Sequence, residues 1–355
     1  MLTTLKKHKW KLLFGAGLGA LTAGLAMGCC TFSAPPYEGP ESDHFDGERF
    51  RNVPERKRQE SGGFLRWQLT KEQGEWPDWV DSEPGPAPAE RVENGELRVT
   101  WVNHATTLIQ MDGLNILTDP IWSERTSPVS WVGPTRRRAP GLRFEDLPPI
   151  DVVVISHNHY DHTDIPTLKR LDKEHSPRFV VPLGNSRLLR DNGITNTGDL
   201  DWWQRVPASD EVRVTLVPAQ HFSGRGLCDR GQTLWGGYVF EGPAGPVYFA
   251  GDTGWGPHFE QINAQFGAPR LAILPIGAFR PRWFMSPVHI SPAEAVQAHR
   301  VLEAETSMGM HWGTFRLADD GYAEPVEALE EALADQDVDP ERFWVLDEGH
   351  GRNVP

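Results

Sequence analysis

The chain is short of cysteine, of positive charge and of long apolar runs, and each shortage excludes something. Three cysteines in 355 residues cannot build a disulfide framework or a cysteine-rich zinc site, whereas 13 histidines could supply a zinc site. Lysine and arginine total 35 against 49 acidic residues, leaving a net charge of −14. Phosphate recognition along a nucleic acid needs basic patches, so general nucleic-acid binding is excluded. The apolar run from Leu12 to Met27 is about 16 residues, short of the roughly 20 that span a bilayer. Apolar residues make up 39% and charged residues 24%, which excludes disorder, collagen and coiled coil as the main description. A chain of this length can bury a large core.

The short run fits a secretory signal. Lys6, Lys7, Lys9 and Lys11 precede it, and it ends in Leu25-Ala26-Met27-Gly28-Cys29-Cys30. A small residue directly before Cys29 resembles a bacterial lipoprotein cleavage site, with Met27 in place of the usual small residue. An uncleaved N-terminal anchor and ordinary secretion are the alternatives. Either Cys29 or Cys30 could carry the lipid, and Cys29 is favoured. Cleavage there removes four lysines and no acid, taking −14 to −18. Lipid and apolar surface, rather than charge, would then hold the protein at a membrane. Cys30 stands where an Asp would retain a lipoprotein at the inner membrane. The expected location is the cell envelope, lipid-anchored, on the periplasmic face of the outer membrane.

Three zones follow: a signal segment at 1–29, an extension at 30–92 and a catalytic domain at 93–350. The extension is rich in Pro, Gly and charge, with aromatic islands at Phe45, Phe50, Phe64–Trp67 and Trp76–Trp79 that argue for packing on the main domain. Pro84-Gly85-Pro86-Ala87-Pro88 reads as a linker or extended strap. In the main domain, Leu97–Val102, Thr106–Met111 and Asn115–Thr118 read as strands, with Asp112-Gly113 as a hairpin turn. Asp151–Ser156 is an apolar β-branched run of the buried-strand kind. Further strands are expected at Arg178–Leu183, Val212–Pro218, Thr233–Phe240, Pro246–Gly251, Leu271–Ile276, Ser307–His311 and Phe343–Leu346. Helices are expected at Asp164–Leu171, at Ser291–Glu303 with a Ser291/Glu294 capping box, and at Glu324–Asp335. Many strands with interspersed helices fit an α/β fold of two sheets covered by helices.

The chemistry is concentrated in Ser156-His157-Asn158-His159-Tyr160-Asp161-His162, directly after a buried strand. Residues two apart on extended chain point the same way, so His157 and His159 can share one metal. Asp161 and His162 can meet a second. Imidazole with carboxylate suits zinc or a similar divalent ion. More ligands stand at other strand ends: His221, Asp252 in Gly251-Asp252-Thr253-Gly254, and His311 in His311-Trp312-Gly313. A carboxylate has two oxygens, so Asp252 could bridge two ions.

His-Asn-His-Tyr-Asp-His, a distant histidine, Gly-Asp-Thr-Gly and His-Trp-Gly together resemble the metallo-β-lactamase superfamily. The flanking blocks narrow the resemblance. Thr100–Thr106, Leu117–Trp122, Leu147–Asp151, Leu200–Trp203 and Pro281–Met285 are similar to the N-acylphosphatidylethanolamine-hydrolysing phospholipase D branch, over roughly residues 45–350. The resemblance implies an αββα sandwich, often a homodimer, with an apolar entrance facing the membrane. It implies two Zn²⁺ ions, one held by His157, His159 and His221, the other by Asp161, His162 and His311, with Asp252 bridging. It implies that His289 faces the substrate phosphate. The sequence departs from the family at Asn103, where Gly is common, and in its N-terminal extension.

A water between two such ions, about 3.5–4 Å apart, ionises near neutrality. The resulting hydroxide would attack phosphorus, releasing an N-acylethanolamine and phosphatidate, with Asp161 or a water on the second zinc as the candidate proton donor. Asp161, Asp252 and His289 are therefore the expected catalytic residues, and Tyr160 with His289 the expected substrate contacts. His104 and Asp119 read as supports of the ligands. Arg280 and Arg282 read as surface or ion-paired residues or as phosphate contacts, Arg136-Arg137-Arg138 as a solvated basic face or a headgroup contact, and Cys228 as a buried or inert thiol. A dizinc hydrolase of a soluble phosphodiester, a lactone or a β-lactam is the alternative, and a non-catalytic metal-binding envelope protein the third reading.

Overall fold

Alternation along the early strands sets the layering. In β1 (Leu97–Asn103), Leu97, Val99 and Trp101 enter one apolar cluster while Val102 enters another. In β2 (Thr106–Met111), Ile109 and Met111 take the first face and Leu108 the second. This is the two-residue period of a strand with both faces covered. β3 (Leu114–Thr118) follows through Asp112 and Gly113, at φ 47° and 75°, the pair of positive values that a tight hairpin turn needs. The computed structural model describes residues 31–55, 62–93 and 95–355. The signal segment, with Cys29 and Cys30, lies outside them.

Two sheets stack face to face. The first runs β14-β1-β2-β3-β4-β5-β6, with β4 at Val152–Val154, β5 at Arg178–Pro182, β6 at Thr197–Leu200 and β14 at Gly351–Asn353. The second runs β13-β12-β11-β10-β9-β8-β7, made of β7 (Arg205–Pro207), β8 (Arg213–Val217), β9 (Gly237–Glu241), β10 (Val247–Phe249), β11 (Leu271–Pro275), β12 (Thr306–Met310) and β13 (Phe343–Trp344). Each sheet is part antiparallel and part parallel: β3 through β6 pair parallel, as do β10 through β13. Between the sheets lies one core cluster, which includes Val99, Trp101, Val154, Leu216, Phe240, Ile273 and Met308. The Tyr238 hydroxyl crosses it and donates to the carbonyls of Ile155 and Val180 at 2.9 and 3.0 Å.

Helices cover the outer faces. Those of the described residues are α1 (Gly63–Leu69), α2 (Ile165–His175), α3 (Asn185–Asp191), α4 (His258–Phe266), α5 (Arg282–Met285), α6 (Pro292–Val301) and α7 (Glu324–Asp335). Leu168 and Leu171 of α2 and Leu189 of α3 pack on the first sheet, and α4, α6 and α7 pack on the second. The result is the αββα sandwich. The Ser291/Glu294 capping box is present in α6, and α7 spans the expected residues. α2 runs past Leu171 to His175, because its polar last turn continues in solvent until Ser176 turns left-handed before Pro177. Strands β6, β7 and β14 were not expected. They are short, polar edge pieces with little alternation. β14 lies beyond residue 350 and pairs with β1.

The extension is packed on the sandwich at several points. Phe45 and Phe50 belong to the inter-sheet core cluster, and Trp67 stacks on Phe284 at 5.1 Å. The Gly85 amide donates to the Gly141 carbonyl. Two expectations are corrected. Arg136 and Arg138 are buried rather than solvated: Arg136 donates to the carbonyls of Ser123 and Ile121, and Arg138 pairs with buried Glu348 and with the Tyr322 hydroxyl. Cys228 is exposed and disulfide-bonded, not a buried thiol.

Candidate metal centre

The cluster assembles from strand ends. The loop after β4 brings His157, His159, Asp161 and His162. His221 follows β8, Asp252 follows β10, and His311 directly follows β12. His289 comes from the turn after α5. The Asp252 turn lies tight on the histidine loop: a Cβ on Gly251, at φ 59°, would meet the Ser156 Cβ at 2.6 Å, so only glycine fits there.

The donor atoms fall into two adjoining groups. His159 Nδ1 lies 2.7 Å from His157 Nε2 and 3.4 Å from His221 Nε2. Asp161 Oδ2 lies 3.3 Å from His162 Nε2 and 3.5 Å from His311 Nε2. Asp252 faces both groups. Its Oδ2 is 3.2 Å from His162 Nε2, 3.7 Å from His221 Nε2 and 4.0 Å from His157 Nε2, and its Oδ1 is 3.2 Å from His311 Nε2. His289 Nδ1 stands 3.9 Å from Asp252 Oδ2. The seven residues read as ligands therefore share one buried space with His289. Tyr160 is placed differently: its hydroxyl is 3.4 Å from the Phe32 carbonyl, and the Arg225 guanidinium lies over its ring at 3.8 Å.

Several of these buried atoms have no hydrogen-bond partner: His162 Nε2, His311 Nε2, Asp252 Oδ1 and His289 Nδ1. Buried polar atoms left unpaired are costly, and so many in one spot need a common partner. Nitrogen and carboxylate oxygen donors converging on one point are what a divalent cation of the zinc type binds. The residues present thus fit a metal.

Protonation agrees. Burial holds His157 and His221 well below the ordinary imidazole range and lowers His159 and His289 to about 4, so these rings are neutral, as ligands must be. Burial alone would raise Asp161 and Asp252, but the surrounding imidazoles outweigh it and hold both well below the carboxylate range. Burial likewise opposes charge on His311, yet Asp252 and Asp161 lift it to about 9. The cluster calls for positive charge beside its carboxylates.

Supporting groups choose which ring nitrogen faces inward. Asp119 Oδ2 lies 2.7 Å from His162 Nδ1 and accepts from the Ser156 hydroxyl at 2.6 Å. The Ser156 hydroxyl is 2.9 Å from His157 Nδ1. His221 Nδ1 donates to the Val288 carbonyl at 2.9 Å. His104 Nε2 lies 2.9 Å from Asp161 Oδ2. Such partners orient ligands and raise their basicity. His104, Asp119 and His311 also hold φ of 45°, 36° and 62°. A non-glycine residue there costs on the order of 1–3 kcal/mol and persists only where surroundings over-determine it. Asn103, at the family's Gly position, is fully buried, with its amide donating to the Ile121 carbonyl. Arg280 is ion-paired with Glu324 and Arg282 with Glu294, and Arg282 also donates to the His289 carbonyl. Sequence reasoning missed Asn52, whose side chain bonds both backbone groups of His221.

Residues 114–312 match the model of the beta-lactamase superfamily domain. An uncharacterized protein of Mycobacterium tuberculosis is 45% identical over 245 residues, which are 67% of this chain and 64% of that protein. The match thus spans less than two thirds of the mycobacterial relative. N-acyl-phosphatidylethanolamine-hydrolyzing phospholipase D 1 of Caenorhabditis elegans is 38% identical over 265 residues, 71% of this chain and 74% of the worm protein. Outer membrane protein RomA of Klebsiella pneumoniae is 44% identical over 108 residues, 30% of this chain and 80% of RomA. Among solved structures, a metallo hydrolase of Ignicoccus hospitalis superposes with a TM-score of 0.55 at 23% identity, over 73% of this chain and 99% of that one. The two-sheet sandwich, its buried His/Asp cluster and these relatives place the chain in the metallo-β-lactamase superfamily, with N-acylphosphatidylethanolamine-hydrolysing phospholipases D among its relatives.

Proposed function

We propose that the protein is a dinuclear zinc phosphodiesterase of the phospholipase D type. It cleaves a membrane glycerophospholipid, N-acylphosphatidylethanolamine, to N-acylethanolamine and phosphatidate. The observation that carries this reading is the buried His/Asp cluster in a chain 38% identical to the worm enzyme over 265 residues. His157, His159 and His221 would hold one ion and Asp161, His162 and His311 the other, with Asp252 facing both groups. Bound there, two divalent cations supply a water that ionises near neutral pH and positive charge opposite the phosphoryl oxygens.

The chain's own residues do the rest. His289, neutral and with Nδ1 unpaired, is free to offer an N–H to a phosphoryl oxygen. Arg282 steadies it by donating to its carbonyl at 2.9 Å. Tyr160, with the Arg225 guanidinium over its ring, is assigned to substrate contact. Phe64, Leu65, Leu69 and Trp283 are 63%, 63%, 77% and 45% exposed, on α1 and on α5 just before His289. Apolar groups clustered on a surface mark an interaction site, and here they suit acyl chains and a bilayer.

Membrane attachment is assigned to a lipid on Cys29, and the location to the cell envelope. No helix of the described residues is long and apolar enough to cross a membrane. The resemblance to RomA supports the envelope, as does the disulfide at Cys228, a bond favoured in oxidising compartments.

The test is mass spectrometry of products after zinc-loaded protein meets vesicles containing N-acylphosphatidylethanolamine, beside an Asp252→Asn control. Matched N-acylethanolamine and phosphatidate, absent in the control, are expected. Diacylglycerol instead of phosphatidate would contradict the bond assignment. No turnover by metal-loaded protein would direct the reading to a soluble phosphodiester, lactone or β-lactam.

A further inference from the structure

We propose that Asn52 is a positioning residue of the metal centre, and that the strap Ala34–Asn52 is a working part of the site although it lies outside the matched domain. The inference rests on the reading of His221 as a ligand.

The problem Asn52 solves is local. His221 is buried in the long connection between β8 and β9, away from either sheet ladder. A buried backbone N–H and C=O each need a partner. Asn52 provides both: its Oδ1 accepts from the His221 amide at 3.2 Å, and its Nδ2 donates to the His221 carbonyl at 3.0 Å. A primary amide carries donor and acceptor in one plane, so it pairs with a residue as a neighbouring strand would. The Trp235 indole fixes the amide's orientation, donating to Asn52 Oδ1 at 3.2 Å and to the Ala219 carbonyl at 3.0 Å. The His221 ring is tied separately, through Nδ1 to the Val288 carbonyl. Backbone held by Asn52 and ring held by Val288 leave Nε2 aimed at His159 and Asp252.

The strap is itself anchored on the same connection. The Ala34 amide donates to Asp229 at 2.8 Å, the Tyr37 amide to the Gln232 carbonyl at 2.9 Å and the Phe50 amide to the Gly231 carbonyl at 2.7 Å. Phe45 and Phe50 lock it into the inter-sheet core, and His44 stacks on Trp202 at 4.6 Å.

The experiment is zinc titration of the full chain against a chromophoric chelator, with thermal unfolding of the metal-free protein in parallel. Support for a ligand is worth about 10- to 100-fold in metal affinity. Asn52→Ala is expected to weaken one zinc site by that factor. Asn52→Asp, which keeps the acceptor and loses the donor, is expected to fall between, and it remains informative if the alanine variant fails to fold. Unchanged affinity in both variants, whatever the melting shift, would overturn the inference and leave the ligand reading standing. Absence of zinc binding by the unaltered protein would overturn both.

Discussion

The loop Ser156–His162 and the strap Ala34–Asn52 both serve the metal centre, and they could hardly be more different as sequence. The loop carries its chemistry in residue types: three imidazoles and a carboxylate within six positions. The strap has no such signature. Its contribution runs through one asparagine amide, backbone amides and two buried phenylalanines. The lesson is that a ligand set is written in side-chain chemistry, whereas its positioning is written in hydrogen bonds that many sequences could make.

The largest effect is expected on the ligand side. Asp252→Asn removes the carboxylate that faces both donor groups, and turnover should fall by about a thousandfold or more, measured as phosphatidate released. Retained turnover would break the claim that one carboxylate serves both groups. On the strap side, Phe45→Ala opens a cavity in the inter-sheet core and should cost about 3–5 kcal/mol in urea unfolding. A negligible loss would show the strap to be merely laid on the surface.

Next comes the support behind the loop. Asp119→Asn keeps the shape but removes the carboxylate from His162, and zinc affinity should drop about 10- to 100-fold in a chelator competition. The smallest effect belongs to neither region. Burial, with the nearby Arg342 charge, lowers His299 to about 4, while its ring bonds Ser307 at 2.8 Å. The unfolded chain, with imidazole near 6.5, then binds the proton first, so stability falls as pH drops from about 6.5 towards 4. His299→Asn should flatten that part of the melting-temperature profile relative to the unaltered protein. An unchanged profile would show that His299 carries none of it.

Much of the sandwich was legible because its inner strands, such as Val152–Val154, are apolar and β-branched, and because Ser291 and Glu294 write a helix start. β6, β7 and β14 were not, since edge strands need no apolar face. Helix α4 was overlooked despite Phe259, Ile262 and Phe266 at helical spacing. The cluster's members and the supporting places of His104 and Asp119 were legible one by one, but not the positive φ values of those two residues, which depend on the packed loops around them. Arg136 and Arg138 misled because a run of arginines says nothing of the carbonyls and the glutamate folded against it.

The central claim is that seven side chains form one centre for two ions. Metal analysis of purified, zinc-equilibrated protein tests it most directly, alongside His311→Ala. The account predicts two equivalents of zinc per chain, falling to one in the variant. A single equivalent in the unaltered protein, or an unchanged count on loss of His311, would contradict it.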